Sequence, residues 1–476
     1  MVTTRDGKTG KIVGYDKRTR RFAVHIGYDK GKEHSYLSYW DANNLYGHAM
    51  VQPLPCGDFQ WEKERDADTL IERYADNPGR GCIVKCDLEY PEHLHDAHND
   101  YPLAPERKLV TQDMLSPYAS QLQKQLEIGP DTVGKLVPNL ENKTDYVVDI
   151  RNLKFYRDHG LIITKVSSVI SFKQSTWMKS YIDFNTEKRS KAKDEFTKDL
   201  LKLMNNAPFG KTMENVRNRV KMDFVTSNKH GPKRLQCHER TIERKIASPL
   251  YNGAIIYNDD LAAIKLKSKH IKLNKPIYAG MCILDLSKKH MYEFHYDVIK
   301  PTYGERAKLL FTDTDSLCYR IRTANVYEDQ KAHSHLFDLS NYPKDSPYYD
   351  ETNKKVLGKF KDECEGKSPS EFIGLRPKMY SLKVGSDPKD EKKTAKGVQR
   401  AFCKNHIRHA DYWRCLLSEK RPDKQQICKF NTIRSRSHIV QSLEISKVGL
   451  CCYDNKRHLL EDGISSYSYG HYKISQ

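Results

Sequence analysis

KLLFTDTDSLCYRI, residues 308–321, is the stretch on which the fold turns. Leu309, Leu310 and Phe311 lead into two carboxylates, Asp313 and Asp315, and a second apolar run follows Ser316 through Leu317, Cys318 and Ile321. Two such runs around a short polar turn predict an antiparallel hairpin with acids at its tip. In a strand, residues i and i+2 face the same way, but within a turn the two acids can diverge. A bare Asp-x-Asp is usually a solvated turn. Here the flanking strands would pin it in place, which a working pair of acids requires.

Upstream, the aromatic-rich, strand-like SYLSYW (35–40) runs directly into Asp41, within Tyr39-Trp40-Asp41-Ala42-Asn43-Asn44-Leu45-Tyr46-Gly47. Taken alone, Asp41 would be a strand-end residue capping the next helix, a frequent arrangement. Between these stretches, residues 187–206 have helical spacing, with Phe196, Leu200 and Leu203 predicted as one apolar stripe. Pro208 and Gly210 are expected to end that helix. Lys198, Lys202, Asn206 and Gly210 follow at intervals of four and so share the opposite face. On an isolated helix this would be ordinary solvated surface. It also suits a triphosphate lying along the helix. Downstream, Arg376-Pro377-Lys378-Met379-Tyr380 is expected to be extended, placing Lys378 and Tyr380 on one side to grip a sugar–phosphate backbone.

The 476 residues are long enough for more than one folded unit, and a formal charge of +19 favours a polyanionic partner, because cations set against phosphates release condensed counterions. Charge alone does not exclude a merely solvated basic surface. No apolar run is long enough to cross a bilayer, and the N-terminus lacks the apolar region of a secretory signal. The 12 cysteines are scattered, several in strand-like runs, and read as reduced thiols in a nuclear or cytoplasmic setting. Cys403, His406 and His409 lack a fourth ligand for zinc at sensible spacing.

Taken together and in this order, the four patterns resemble the family B DNA polymerases. Asp41 to Gly47 is similar to the D-x-x-S-L-Y-P motif of that family, Lys202 to Gly210 to K-x-x-x-N-S-x-Y-G, Phe311 to Ser316 to Y-x-D-T-D-S, and Lys378 to Tyr380 to K-x-Y. HNDYPLAPE (98–106), LVPNL (136–140), FNTEKR (184–189), LNKPIYAGMCILDLSKKHMY (273–292) and DGISSYSYGHYKI (462–474) resemble the protein-primed polymerases of Polinton-like mobile elements and related viruses. The resemblance runs from about residue 35 to the end; Gly47, Ala207 and Phe209 depart from the usual Pro, Ser and Tyr.

The resemblance implies an α+β right-hand polymerase with palm (antiparallel sheet plus helices), fingers and thumb. The expected division is an N-terminal segment of unclear structure (1–34), palm (35–60), an insertion (61–170), fingers (171–215), palm with the acidic hairpin (216–395) and thumb (396–476). It implies a nucleotidyltransferase that extends a DNA primer–template from dNTPs with two Mg²⁺ ions, Mn²⁺ being an alternative. Asp41 and Asp315 would hold the metals and Asp313 would assist. Lys202 would act on the leaving pyrophosphate and Lys198 on the incoming phosphates. Tyr46 would exclude a 2′-hydroxyl, Asn206 and Phe209 would flank the nascent pair, and Lys378 and Tyr380 would hold the primer. A terminal protein primer, if used, would come from elsewhere; no membrane is involved. Only forty residues precede Asp41, so an editing exonuclease is not expected, and Asp87/Glu89, which mimic its acids, are assigned to an insertion strand. The competing reading is a non-catalytic DNA-binding remnant. A two-metal nuclease has no use for the Lys198/Lys202/Asn206 face.

Overall fold

The computed structural model describes residues 2–3, 9–16, 21–26, 34–226, 239–384, 390–418, 421–436 and 439–474. Its centre is a five-stranded sheet in the order Ala307–Asp313, Ser316–Thr323, His34–Ala42, Phe360–Asp362, Phe337–Asp338. The first four strands pair antiparallel and the last pair is parallel. Residues 34–42 alternate with period two, so Tyr36, Ser38, Trp40 and Ala42 are buried while Tyr39 and Asp41 look into the cleft. Trp40 packs edge-on against Phe294 and Phe337, at ring-centroid distances of 5.6 and 5.4 Å. The helix Ile277–Glu293, continued by wider turns over Phe294–Ile299, covers this buried face. Its apolar residues recur at helical spacing, with Ala279, Cys282, Ile283 and Leu286 all buried.

A second, four-stranded antiparallel sheet has the order Leu54–Trp61, Ile162–Ser175, Arg80–Glu89, Lys143–Asp149. Its strands Leu54–Trp61 and Ile162–Ser175 run across the expected boundaries at 61 and 170. A buried polar joint fixes it to the central helix. The Asp149 N–H donates to Asp285 Oδ2 (3.0 Å), Asn152 Nδ2 donates to the Asp285 carbonyl (2.8 Å), and Arg151 pairs with Asp149 (2.8 Å). A three-stranded sheet, Val220–Thr226, Leu261–Lys267 and Tyr251–Asn258, lies within 216–395 but is separate from the five-stranded sheet. Residues 1–34 contribute three strands of one sheet, Val2–Thr3, Thr9–Asp16 and Arg21–Ile26.

Two expectations about the helix of residues 187–206 are corrected. It spans Glu195–Thr212 and passes through both Pro208 and Gly210. Proline removes the N–H that would bond the carbonyl four residues back. That carbonyl, of Met204, instead accepts from the Tyr181 hydroxyl at 3.1 Å, on the neighbouring helix Lys179–Lys191. The buried face is Leu201, Asn205 and Thr212, because Asn205 Nδ2 donates to Thr186 Oγ1 (3.1 Å) across the helix pair. Phe196, Leu200 and Leu203 point outward and are exposed.

Arg376 to Tyr380 is not one extended segment. Glu371–Arg376 and Met379–Lys383 form a hairpin, and Lys378 occupies its turn at φ 61°. Beyond residue 396, three helices (Arg400–His406, His409–Leu417 and Arg421–Lys424) precede a hairpin of 12- and 13-residue strands, Gln425–Arg436 and Ile439–Cys451. Three of the stretches resembling protein-primed enzymes meet in one seam. The Ser468 N–H donates to Asn99 Oδ1 (2.8 Å), Arg457 donates to the Asn99 carbonyl (2.8 Å), and the Leu140 N–H donates to the Tyr469 carbonyl (2.7 Å). Gly470, at φ 82°, lies so close to residue 141 that a Cβ there would meet the Glu141 nitrogen at 2.8 Å. The eleven cysteines among the described residues are free thiols, and no described helix is long and apolar enough to cross a membrane.

Candidate active site

The hairpin at 308–321 forms as its sequence predicts, and its two-residue turn is tight. Asp313 is paired in register with Ser316, Thr314 sits at φ 60°, and the Asp315 N–H donates to the Asp313 carbonyl at 2.7 Å. A β-branched residue in the left-handed region is strained by about 1–3 kcal/mol, so the surrounding sheet must hold the turn. It does so through the next strand, where Ser316 is opposite Asp41 and the Ala42 N–H donates to the Asp315 carbonyl at 2.7 Å. Residues 41 and 315, far apart in the chain, are thereby fixed at one end of one sheet.

Crowding sets the electrostatics. Burial, then Asp315 and Glu363, push the Asp41 carboxyl up to about 7, against the pull of Lys361 and Lys202. Asp315 is likewise raised, by burial and by Asp313, with Lys202 and Lys378 opposing. Two half-buried carboxylates that resist ionising together are a site awaiting positive charge. Lys378 Nζ takes up Asp313 Oδ1 at 2.9 Å, which leaves Asp41 and Asp315 as the open pair. No three His, Cys, Asp or Glu side chains converge into a ready metal cage among the described residues. Two hard oxygen donors without a cage suit an ion such as Mg²⁺, which takes one or two carboxylates and completes its shell with water and substrate phosphate.

The other sequence-predicted residues surround this pair unequally. Lys202 is exposed and acts on both acids, so its helix face looks into the site. Lys198 lies one turn away, paired with Glu195 at 2.6 Å and sharing its surroundings with Lys355. Asn206 is half-buried on the same face. Tyr46 and Phe209 stack with centroids 4.4 Å apart at 19°, joining the turn after Asp41 to the lysine helix. The Tyr46 hydroxyl is raised by burial and by Asp315, which places it beside the acids. Tyr380 stacks on Phe311 (4.0 Å) and shares a 3.0 Å hydrogen bond with the Tyr39 hydroxyl.

Gly47 is explained locally. Asn44, at φ 44°, accepts from the Gly47 N–H (3.2 Å), and a Cβ at 47 would lie 2.4 Å from Asn44 Nδ2. A proline there would lack that N–H.

Sequence reasoning missed the third strand of the site. Lys361 is opposite Asp41, and the Glu363 N–H donates to the Tyr39 carbonyl at 2.8 Å. Both side chains therefore share the cleft face. The strand is three residues long, too short for a period-two signal. It is held from below by His290, whose Nε2 bonds the Gly358 carbonyl (2.7 Å), and by His48, which fills the space beside Gly358. A cleft of about 1120 Å³ opens from Tyr39, Tyr380 and Glu363 toward Lys392, Lys393, Arg400, Lys404 and Arg408. Cys403 borders it as a buried thiol, and His409 bonds Ser381 and Glu371.

The five-stranded sheet thus carries Asp41 and Asp315 at one end, faced by the lysine helix. The sequence profile described as DNA polymerase type B, organellar and viral, matches residues 23–301, and the chain belongs to that family. Among solved structures it is similar to phi29 DNA polymerase complexed with primer-template DNA and incoming nucleotide substrates, with 16% identity, a TM-score of 0.49, and 93% of this chain covered. It is also similar to the orthorhombic crystal form of phi29 DNA polymerase (16% identity, TM-score 0.47, 88% of this chain covered). The chain spans 61% of the length of the first of these structures and 58% of the second. No curated protein matches.

Proposed function

We propose that this chain is a template-directed DNA polymerase that transfers deoxynucleotides from dNTPs to a primer 3′-hydroxyl. The observation that carries the reading is the pair Asp41 and Asp315, fixed by register at one sheet end, crowded enough to resist ionisation and faced by Lys202. Divalent ions held by these two carboxylates, Mg²⁺ or Mn²⁺, would activate the 3′-hydroxyl and neutralise the triphosphate. Lys202 balances charge on the leaving pyrophosphate, and Lys198 holds the phosphates one turn further along the helix. Tyr46, braced by Phe209, closes the space a 2′-hydroxyl would need. Asn206 borders the nascent pair. Tyr380, fixed by Phe311 and Tyr39, and Lys378 in its turn hold the primer end against the acids. The stretches at 98–106, 136–140 and 462–474, gathered in one seam, favour the protein-primed branch of the family, with a terminal protein as primer.

Primer extension by purified protein tests this. Extension in Mg²⁺ that disappears in Asp315→Asn while primer–template binding persists supports the reading. Tight binding without a single addition in Mg²⁺ or Mn²⁺ would make the chain a DNA-binding remnant.

A further inference from the structure

The segment HNDYP (98–102) comes from the inserted region, yet it grips the acidic hairpin at two places. Asp100 Oδ2 accepts the Leu309 N–H at 3.3 Å, and its Oδ1 pairs with Lys308 Nζ at 2.6 Å. The next residue, Tyr101, bonds the Thr312 side chain through its hydroxyl.

Between those two places the hairpin is irregular. Leu309 is opposite Tyr319 and Phe311 is opposite Cys318, so Leu310 is an extra residue in the edge strand Ala307–Asp313. Such a bulge re-aims the side chains that follow it. Regular pairing beyond Leu309 would set Phe311 opposite Leu317 and Asp313 opposite Asp315. Leu317 is itself opposite Trp40, so both side chains would turn to the buried face of the sheet. With the extra residue, Phe311 lines up with Cys318 and Tyr39, and Asp313 with Ser316 and Asp41. The bulge is thus what turns Asp313 into the cleft, and it leaves Thr314 and Asp315 as the turn.

A bulge disrupts the ladder locally, and in an edge strand only one neighbour is there to hold it. Asp100 and Tyr101 supply the other side. One takes the N–H just before the extra residue, and the other takes a side chain just after it. Both are themselves anchored. The Tyr296 hydroxyl donates to the Tyr101 carbonyl at 2.7 Å, and the Tyr292 hydroxyl to the Pro102 carbonyl at 3.1 Å. The Tyr101 ring packs on Tyr292 and His295, with centroids 4.7 and 5.4 Å away. These partners lie on the helix that covers the sheet and on its continuation.

We propose that Asp100 and Tyr101 are positioning residues for the acidic turn, holding the bulge at Leu310 so that Asp313 and Asp315 stay aimed beside Asp41. Both act through the hairpin and not on the substrate. This rests on the polymerase reading. A carboxylate that merely covers an edge strand would account for the Leu309 bond alone. The second hold at Thr312, across the bulge, is what a positioning role requires.

The test is Mn²⁺ affinity, followed by electron paramagnetic resonance on the full chain with primer–template and a non-hydrolysable dNTP analogue, beside single-turnover extension and denaturant melts. The variants are Asp100→Ala, Asp100→Asn, Tyr101→Phe and, as a control, Asp87→Ala, which removes a similar backbone acceptor in the other sheet. Asp100→Ala should weaken Mn²⁺ binding by about 10-fold or more and slow extension by about 10²-fold, the scale of a lost supporting contact and of a misplacement near 1 Å. Asp100→Asn, whose amide oxygen can still accept from Leu309, should recover most of both. Tyr101→Phe keeps the ring and should lose less than Asp100→Ala. Asp87→Ala should lose stability but neither affinity nor rate. The assignment is overturned if Asp100→Ala keeps wild-type Mn²⁺ affinity, if Asp100→Asn falls as far as Asp100→Ala, or if Asp87→Ala loses as much affinity. Should Asp100→Ala not fold, Tyr101→Phe decides: Mn²⁺ affinity equal to wild type overturns the assignment, and weaker affinity beside an unchanged melt supports it. A wild type that binds Mn²⁺ and extends primers beside an Asp100→Ala of equal affinity and rate sinks the positioning role alone; a wild type that binds no ion sinks the polymerase reading with it.

Discussion

Asp313 and Asp315 have the spacing of Asp87 and Glu89, yet the two pairs sit in different physical situations. The first pair occupies a strained two-residue turn, with Asp315 raised by burial and by its neighbour and a third acid, Asp41, brought alongside by strand register. The second pair lies in the strand Arg80–Glu89, where Asp87 accepts from the Asp145 N–H at 2.7 Å and Glu89 is exposed. One pair is crowded and faced by lysines; the other finishes a backbone turn at Asp145, itself at φ 56°. Spacing alone does not separate metal-binding carboxylates from structural ones. What separates them is whether the fold forces like charges together and leaves them without enough partners.

The strongest way to break this contrast is to neutralise one acid of each pair. Asp315→Asn should slow nucleotide addition by about 10³-fold or more, the scale of a lost metal ligand in phosphoryl transfer. Asp87→Asn should change the rate by less than about twofold and cost about 1 kcal/mol of stability, one backbone hydrogen bond. Single-turnover extension and denaturant melts read both, and equal loss of rate in the two variants would erase the distinction.

A second effect belongs to the crowded site alone. Tyr46→Val should lower discrimination against ribonucleotides by roughly 10²-fold while deoxynucleotide addition changes little, if the ring beside Asp315 closes the sugar space as proposed. Competition between dNTP and NTP measures the ratio. An unchanged ratio would place the Tyr46 ring away from the sugar.

A third effect concerns how the acids are supported. Burial, then the neighbouring His290, hold the His48 imidazole down at about 4, with Lys359 and Lys289 adding to the effect and a bond to the Leu357 backbone opposing it. A histidine whose folded value lies below its ordinary one of about 6.5 contributes stability above that pH and loses it as pH falls toward 4. Denaturant melts should therefore show His48 contributing roughly 3 kcal/mol of the fall through that window, beside the buried His98 and His295, and His48→Gln should make the fall shallower by about that much. An equal fall in His48→Gln and wild type would mean that His48 does not clamp the third strand.

The acidic hairpin, the Asp41 strand and the lysine helix were legible because period-two and period-four patterns coincide there with chemistry-bearing residues. The third strand was not, since Phe360–Asp362 is too short to show a period and its pairing depends on His48, His290 and Gly358, distant from it or outside it in sequence. The outward stripe of Phe196, Leu200 and Leu203 misled because apolar residues at helical spacing ordinarily mark a core face. Here polar contacts through Asn205 and Tyr181 fix the opposite side. Pro208 misled for the same tertiary reason, since the hydroxyl that satisfies the Met204 carbonyl comes from another helix. Lys378 and Tyr380 lie on a hairpin and not on an extended segment, because the chain reverses through Pro377 and the left-handed Lys378, which residue alternation does not reveal.

The central claim is that Asp41 and Asp315 are an ion-binding pair and Asp87 and Glu89 are not. The most direct measurement is Mn²⁺ binding followed by electron paramagnetic resonance, on the full chain with primer–template and a non-hydrolysable dNTP analogue. Two bound ions are expected for wild type and for Asp87→Asn, with at least one lost in Asp315→Asn and in Asp41→Asn. Unchanged stoichiometry in Asp315→Asn, or a lost ion in Asp87→Asn, would contradict the account.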